Sequence, residues 1–239
     1  MTGTLRLEWF RDPEGYEIVE IEKGSSPAAR SIAAGERHCS VVKPRSGREE
    51  PYVLEGAGNR IFIELANAEK TPEAVLAFTK RHGLLWTPPG ASDRGSYAQP
   101  LEEFYDAISG LRTAAELAGS NGLQEIVPRL SKRGVRLHMR LVQPAGETAP
   151  RLILDPTSLL SFLHAEFLQR LDGGIEIRNC PRCGKVMAAG RAGQQPRYCS
   201  DSCRVSAHRR MKRLEFSGVD LGSASSRKGP IRHARRSAR

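Results

Sequence analysis

The chain has 239 residues, a formal net charge of +10 and five cysteines. This length accommodates one good-sized domain and a small module, at roughly 100–200 residues per domain. No apolar run approaches the roughly 18 residues that a membrane span requires, and charged residues interrupt the N-terminal stretch where a signal peptide needs an apolar segment. We therefore expect a cytoplasmic protein without membrane association.

The positive charge is concentrated at one end of the chain. Residues 1–177 contain 21 Lys and Arg against 24 Asp and Glu, whereas residues 178–239 contain 16 against 3. A near-neutral body with a basic extension is typical of proteins that bind nucleic acid or an anionic surface.

Short strands are predicted in the first 65 residues. Leu5, Leu7 and Trp9 alternate with polar residues, which is the period of a half-buried strand. Further short extended segments are indicated at residues 16–21, 41–42 and 61–63.

Helices dominate the middle of the chain. Thr71 and Pro72 predict a helix start, and Gly83 predicts its end. Apolar residues at helical spacing predict a second helix over residues 101–115. Alternation from residue 135 and a return segment ending near residue 154 predict a hairpin, and a third helix is expected over residues 157–171.

These elements predict an α+β fold in three parts. Residues 1–175 form a mixed domain that we expect to sense a small ligand or to form a homodimer. Residues 176–216 form a four-cysteine zinc finger with a basic helix. Residues 217–239 contain little to bury and are expected to form a disordered basic tail.

Four of the five cysteines form a metal-binding pattern. Cys180 and Cys183 are separated by Pro-Arg, and after fifteen residues Cys199 and Cys203 follow with three residues between them. Two close pairs of thiolates can enclose a tetrahedral Zn²⁺. Gly184 permits a tight turn after the first pair, and the second pair opens a predicted helix. The pattern indicates a treble-clef or similar finger.

Four cysteine ligands favour one structural zinc ion, because a catalytic zinc keeps one position for water. His208 could replace one cysteine, but its position five residues after Cys203 is explained more simply by the basic helix. The fifth cysteine, Cys39, is alone in the N-terminal part, and its role is not indicated by its neighbours.

The chain resembles the bacterial CGNR-type zinc-finger proteins, which are regarded as transcriptional regulators. The resemblance is carried by residues 180–184, 197–200 and 203–213, and more loosely by residues 59–67 and 158–171. It implies a mixed N-terminal domain followed by a DNA-binding finger with four cysteine ligands. The Cys-Gly-Asn-Arg signature is absent, so the resemblance is that of a divergent relative.

A cationic stripe follows the last cysteine. Arg204, His208 and Lys212 are spaced four residues apart, with Arg209 and Arg213 beside them. Such side chains neutralise phosphates, which provides most non-specific affinity for nucleic acid. We expect these five residues to contact nucleic acid, with DNA favoured over RNA through the resemblance.

Other functions remain open at the level of sequence. The same basic region could serve an RNA-associated protein, and the finger could be a protein-interaction adaptor. Glu102 and Glu103 are placed at a helix start, where carboxylates stabilise the helix dipole, and Gly56 to Gly58 is too short for a nucleotide loop. We therefore expect no enzymatic activity and assign no catalytic residue.

Overall fold

A computed structural model describes residues 4–22, 38–55, 60–86, 97–119, 125, 136–143, 151–188 and 196–216. These residues form nine strands and five helices, so the fold is a mixture of α and β structure, as predicted. The strands are β1 (Thr4–Arg11), β2 (Tyr16–Glu22), β3 (His38–Pro44), β4 (Glu50–Glu55), β5 (Gln99–Pro100), β6 (Leu137–Val142), β7 (Arg151–Pro156), β8 (Ile177–Asn179) and β9 (Val186–Ala188). The helices are α1 (Ile61–Asn67), α2 (Pro72–His82), α3 (Leu101–Gly119), α4 (Leu159–Asp172) and α5 (Asp201–Phe216).

The largest sheet has the strand order β4-β1-β7-β6. β1 pairs with β4 in antiparallel and with β7 in parallel orientation, so strands from both ends of the body meet in one sheet. Leu5, Leu7 and Trp9 are buried, which confirms the alternation predicted for β1. The indole Nε1 of Trp9 donates to the carbonyl of Leu84 at 2.9 Å, so the one polar atom of this ring is satisfied.

Two smaller sheets complete the β structure. β3 pairs with β2 and β5 in antiparallel orientation, and β8 pairs with β9 in a short hairpin. The predicted hairpin of β6 and β7 also forms. The apolar side chains of its edge strand β6 are exposed, however, because Met139 and Leu141 retain 73% and 68% of their accessible surface. The alternation of apolar and polar residues therefore predicts the strand correctly, but its apolar face is not buried.

Helix α2 forms as its sequence predicts. The Thr71 side chain accepts a hydrogen bond from the backbone N–H of Ala74, Pro72 is the first helical residue, and Gly83 ends the helix at φ +78°. A Cβ at Gly83 would lie 2.2 Å from the carbonyl oxygen of Phe10, so glycine is also required by the close approach of β1. α3 and α4 likewise form at the predicted places and bury their apolar faces in the common core.

The prediction of extended structure at residues 61–63 is wrong, because these residues form α1. A short apolar run does not distinguish a strand from a buried helix. The start of α1 is stabilised by a distant side chain, since the fully buried carboxylate of Glu166 accepts from the backbone N–H groups of Arg60 at 2.7 Å and Phe62 at 3.3 Å. Arg170 forms an ion pair with the same carboxylate at 3.3 Å.

Among the described residues, no helix has both the length and the apolar character needed to cross a bilayer. The tail predicted over residues 217–239 lies outside the described residues, and the division between residues 175 and 176 stays a prediction.

Candidate metal centre

The first cysteine pair lies in the β8–β9 hairpin. Cys180 follows β8 and is buried, and its backbone N–H donates to the carbonyl of Lys185 at 2.8 Å. The N–H of Gly184 donates to the carbonyl of Cys180 at 2.8 Å, and Gly184 adopts a φ of +73° that a side chain would disfavour. This closed turn places Cys183 beside Cys180, as the glycine in the motif predicts.

The second cysteine pair lies at the start of α5. Cys199 precedes the helix by two residues, and Cys203 lies in its first turn. The hydroxyl of Ser200 accepts from the backbone N–H of Cys203 at 3.3 Å, so this serine caps the helix as its residue type predicts. The cap fixes the direction in which the helix leaves the cysteines.

The four sulfur atoms meet in one place. All of them lie within 4.8 Å of one another, and Cys199 Sγ lies 3.4 Å from Cys183 Sγ and 3.6 Å from Cys203 Sγ. Four ligands at about 2.3 Å from a tetrahedral zinc are about 3.8 Å apart. The separations are close to that value and far from the roughly 2.05 Å of a disulfide, so the cluster has the geometry of a metal site.

The pKa values of these thiols also indicate a site for a cation. Burial opposes ionisation of Cys180, but backbone N–H groups of Cys199, Arg182 and Cys183 donate to its sulfur and lower its pKa. Burial and the neighbouring sulfurs of Cys183 and Cys203 raise the pKa of Cys199. Four thiolates this close repel one another, which opposes the ionisation of all four thiols. A divalent ion between them offsets this repulsion.

The β8–β9 hairpin is fastened to the body. Ile177 and Val186 are buried in the same apolar core as the helices of the body. The side chain of Asn67, at the end of α1, donates to the carbonyl of Val186 at 2.8 Å and accepts from its N–H at 2.7 Å. One half of the cysteine cluster is therefore held on the body. The contacts that hold it join residues far apart in the sequence, so the sequence does not predict them.

Helix α5 exposes all five residues predicted to contact nucleic acid: Arg204, His208, Arg209, Lys212 and Arg213. Arg204 forms an exposed ion pair with Asp201 at 3.1 Å. The helix thus presents a cationic surface at the predicted positions, and at 3.6 residues per turn these five residues cover about half of its circumference rather than a single line.

A basic groove of about 760 Å³ runs along one side of α5. Arg209, Arg210 and Arg213 line it from the helix, and Arg182 lines it from the turn between the first two cysteines. The Nε of Arg182 donates to the hydroxyl of Ser206 at 3.0 Å. Arg182 and Arg210 extend the cationic surface beyond the five predicted residues. The sequence gives no signal for Arg182, because it lies inside a cysteine pair whose spacing indicates only metal binding.

A second cavity, of about 720 Å³, is lined by residues of α1, of the β8–β9 hairpin and of the start of α5. We call it the α1 cleft. Its cationic lining consists of Arg60, Lys185, Arg197 and Arg204.

No protein-family model matches this chain, and a search of the curated proteins finds no match.

Proposed function

We propose that the four thiolates of Cys180, Cys183, Cys199 and Cys203 bind one structural Zn²⁺ and so form a finger of treble-clef type. A tetrahedral all-sulfur site suits zinc or iron, and four protein ligands leave no position for a reacting water. The sulfur separations support a closed site. The metal then has a positional role, because it joins the hairpin on the body to the first turn of α5.

We further propose that α5 binds DNA and that the protein is a transcriptional regulator. The observation that carries this proposal is the exposed cationic surface of α5, together with the groove that Arg182 shares with Arg209, Arg210 and Arg213. Cationic side chains at these positions would neutralise phosphates and release counterions. The motif resemblance to CGNR-type regulators supports the same function, with residues 1–175 serving to sense a ligand or to dimerise.

DNA is favoured over RNA by the shape of α5. The helix has 16 residues and is therefore about 24 Å long. B-form DNA has a major groove about 12 Å wide that admits a helix, whereas the major groove of A-form RNA is too narrow for side chains to read. Tyr198 and Phe216 are the two aromatic residues in the sequence of the finger, which provides little stacking surface for single strands.

An adaptor function is the second candidate, and one observation favours it. Val205 and Met211 on α5 retain 40% and 49% of their accessible surface. Exposed apolar side chains on a helix can enter the groove of a partner protein.

The test is the salt dependence of binding to a duplex. The R209Q/R210Q/R213Q variant removes the three helix cations of the groove, and a K43Q/R48Q/K80Q control removes three exposed cations of the body. Fluorescence anisotropy at salt concentrations from about 50 to 200 mM gives the binding constant K, and the slope of log K against the logarithm of the salt concentration counts the phosphate contacts. This salt slope should be smaller in magnitude for the first variant, by about 0.9 for each phosphate contact that the substitutions remove.

The control should bind like the parent protein. Binding of single-stranded or duplex RNA in preference to DNA would favour an RNA-associated protein. Absence of binding to any nucleic acid at about 50 mM salt would refute the proposal and leave the adaptor function. Equal slopes for the two triple variants would show that α5 is not the contact surface.

A further inference from the structure

The α1 cleft is lined by cations from three separate segments. Arg60 lies at the start of α1 on the body, Lys185 lies in the hairpin, and Arg197 and Arg204 flank the second cysteine pair. One acidic side chain, Asp201, lines the cleft. Cations from distant parts of a chain repel one another when no anion is present, so their convergence indicates an anionic ligand.

Three of these four cations have no acidic partner among the described residues. Arg204 pairs with Asp201, and the guanidinium of Arg197 lies 5.9 Å from the centre of the Tyr198 ring. Within the described part of the chain, neither the guanidinium of Arg60 nor the ammonium group of Lys185 forms an ion pair or a side-chain hydrogen bond. Both groups are therefore available to an incoming anion.

The backbone at Arg60 is held in an unusual conformation. Its φ of +57° is left-handed, which non-glycine residues seldom adopt. The hydrogen bond from its N–H to the buried Glu166 carboxylate fixes this turn. The side chain of Arg60 thus lines the cleft from a rigid position on the body rather than from a loop of the finger.

The charge of the cleft suits one singly charged group. Four cations and Asp201 give a net charge of +3. Cys199 also lines the cleft, and a Zn²⁺ bound by four thiolates carries −2. The net charge of the cleft with this group included is about +1, which balances the single negative charge of a phosphodiester. A nucleoside triphosphate would bring about three more negative charges than the site balances.

We propose that the α1 cleft binds one phosphodiester of the same DNA that α5 contacts, with Arg60 of the body and Lys185 of the hairpin as its unpaired ligands. This inference rests on the proposed function. Asp201 lines both the α1 cleft and the groove beside Arg182, so the two cavities adjoin at the first turn of α5. A DNA backbone passing the start of the helix meets both, and the body thereby takes part in binding.

The experiment compares two double variants of the full chain that lose the same charge. R60G/K185Q removes the unpaired cations of the cleft, and glycine accepts the left-handed turn at position 60. R48Q/K80Q removes two exposed cations that line neither cavity. We expect R60G/K185Q to reduce the salt slope of duplex binding by about 0.9 relative to the control, as for one phosphate contact.

A slope equal to that of the control would overturn the inference while leaving DNA binding by α5 intact. Failure of the parent protein to bind a duplex would overturn the proposed function and the inference together. A thermal-shift arm with adenosine monophosphate separates free phosphates from the DNA backbone. A nucleotide-dependent stabilisation that R60G/K185Q abolishes, without a change of slope, would also overturn the assignment to DNA.

Discussion

Loss of the metal should detach α5 while the body stays folded, and Cys199→Ser is the perturbation that tests this. The hairpin with Cys180 and Cys183 is held on the body by buried Ile177 and by the Asn67 side chain, independently of the metal. Among the described residues, the segment that carries the second pair is tied to the hairpin by an exposed hydrogen bond from Arg178 to the carbonyl of Pro196 at 2.9 Å, which is a weaker anchor than buried side chains. Replacing one thiolate of the second pair therefore separates the helix from the body at the metal.

The structure gives the size of the effect. The exposed hydrogen bond from Arg182 to Ser206 is a direct side-chain contact between the hairpin and α5, and it contributes on the order of 1 kcal/mol. For a chain of this size, about 1 kcal/mol shifts Tm by about 2–4 °C. Without the metal, α5 is an isolated helix of 16 residues, whose stability in water is marginal. The circular dichroism signal of at most these 16 residues should therefore be lost.

The assay separates the two parts because both tryptophans lie in the body, at positions 9 and 86. Thermal unfolding followed by tryptophan fluorescence should shift by no more than a few degrees in Cys199→Ser. Far-UV circular dichroism should lose the α5 contribution, and the zinc content, which we expect to be one per chain in the parent protein, should fall. Cys39→Ser is the matched control, since this cysteine lies in β3 apart from the cluster. Loss of cooperative unfolding in Cys199→Ser alone would refute the reasoning.

Two further predictions concern stability. Asn67→Ala leaves the buried N–H and carbonyl of Val186 without their partners, so urea unfolding should show a loss of about 2–4 kcal/mol, and a loss below about 0.5 kcal/mol would mean that water replaces the amide. Burial opposes ionisation of Glu64, but its hydrogen bond to His82 and the nearby Arg81 charge lower its pKa below the ordinary 4.5. This stabilisation is present above pH 4.5 and is lost as the pH falls through the lowered pKa, so the unfolding free energies of the wild type and Glu64→Gln should converge in acid. A difference that stays constant from about pH 7 to about pH 3 would contradict the assignment.

Local patterns in the sequence predict the parts of this fold that local forces determine. The start of α2 is a side-chain cap that spans three residues in sequence, and α5 is capped by a serine beside a cysteine. The spacing of the four cysteines predicts a cluster because the turn at Gly184 and the first turn of a helix are short-range structures.

Contacts between distant residues could not be predicted in this way. The expectation of a strand at α1 is wrong because the carboxylate that stabilises the helix start, Glu166, is more than a hundred residues away. The Asn67 hydrogen bonds to Val186 span a similar separation and decide that the hairpin belongs to the body. The groove at Arg182 exists because the metal motif and α5 fold against each other, which no single segment encodes.

The most direct test of the central claim is a zinc titration of the metal-free protein in the presence of duplex DNA. If one ion positions α5, affinity for DNA should rise with added zinc and reach its maximum at one zinc per chain, with the full salt slope restored at that point. An affinity for DNA that is the same with and without zinc would contradict the claim that the cysteine cluster positions this helix for binding.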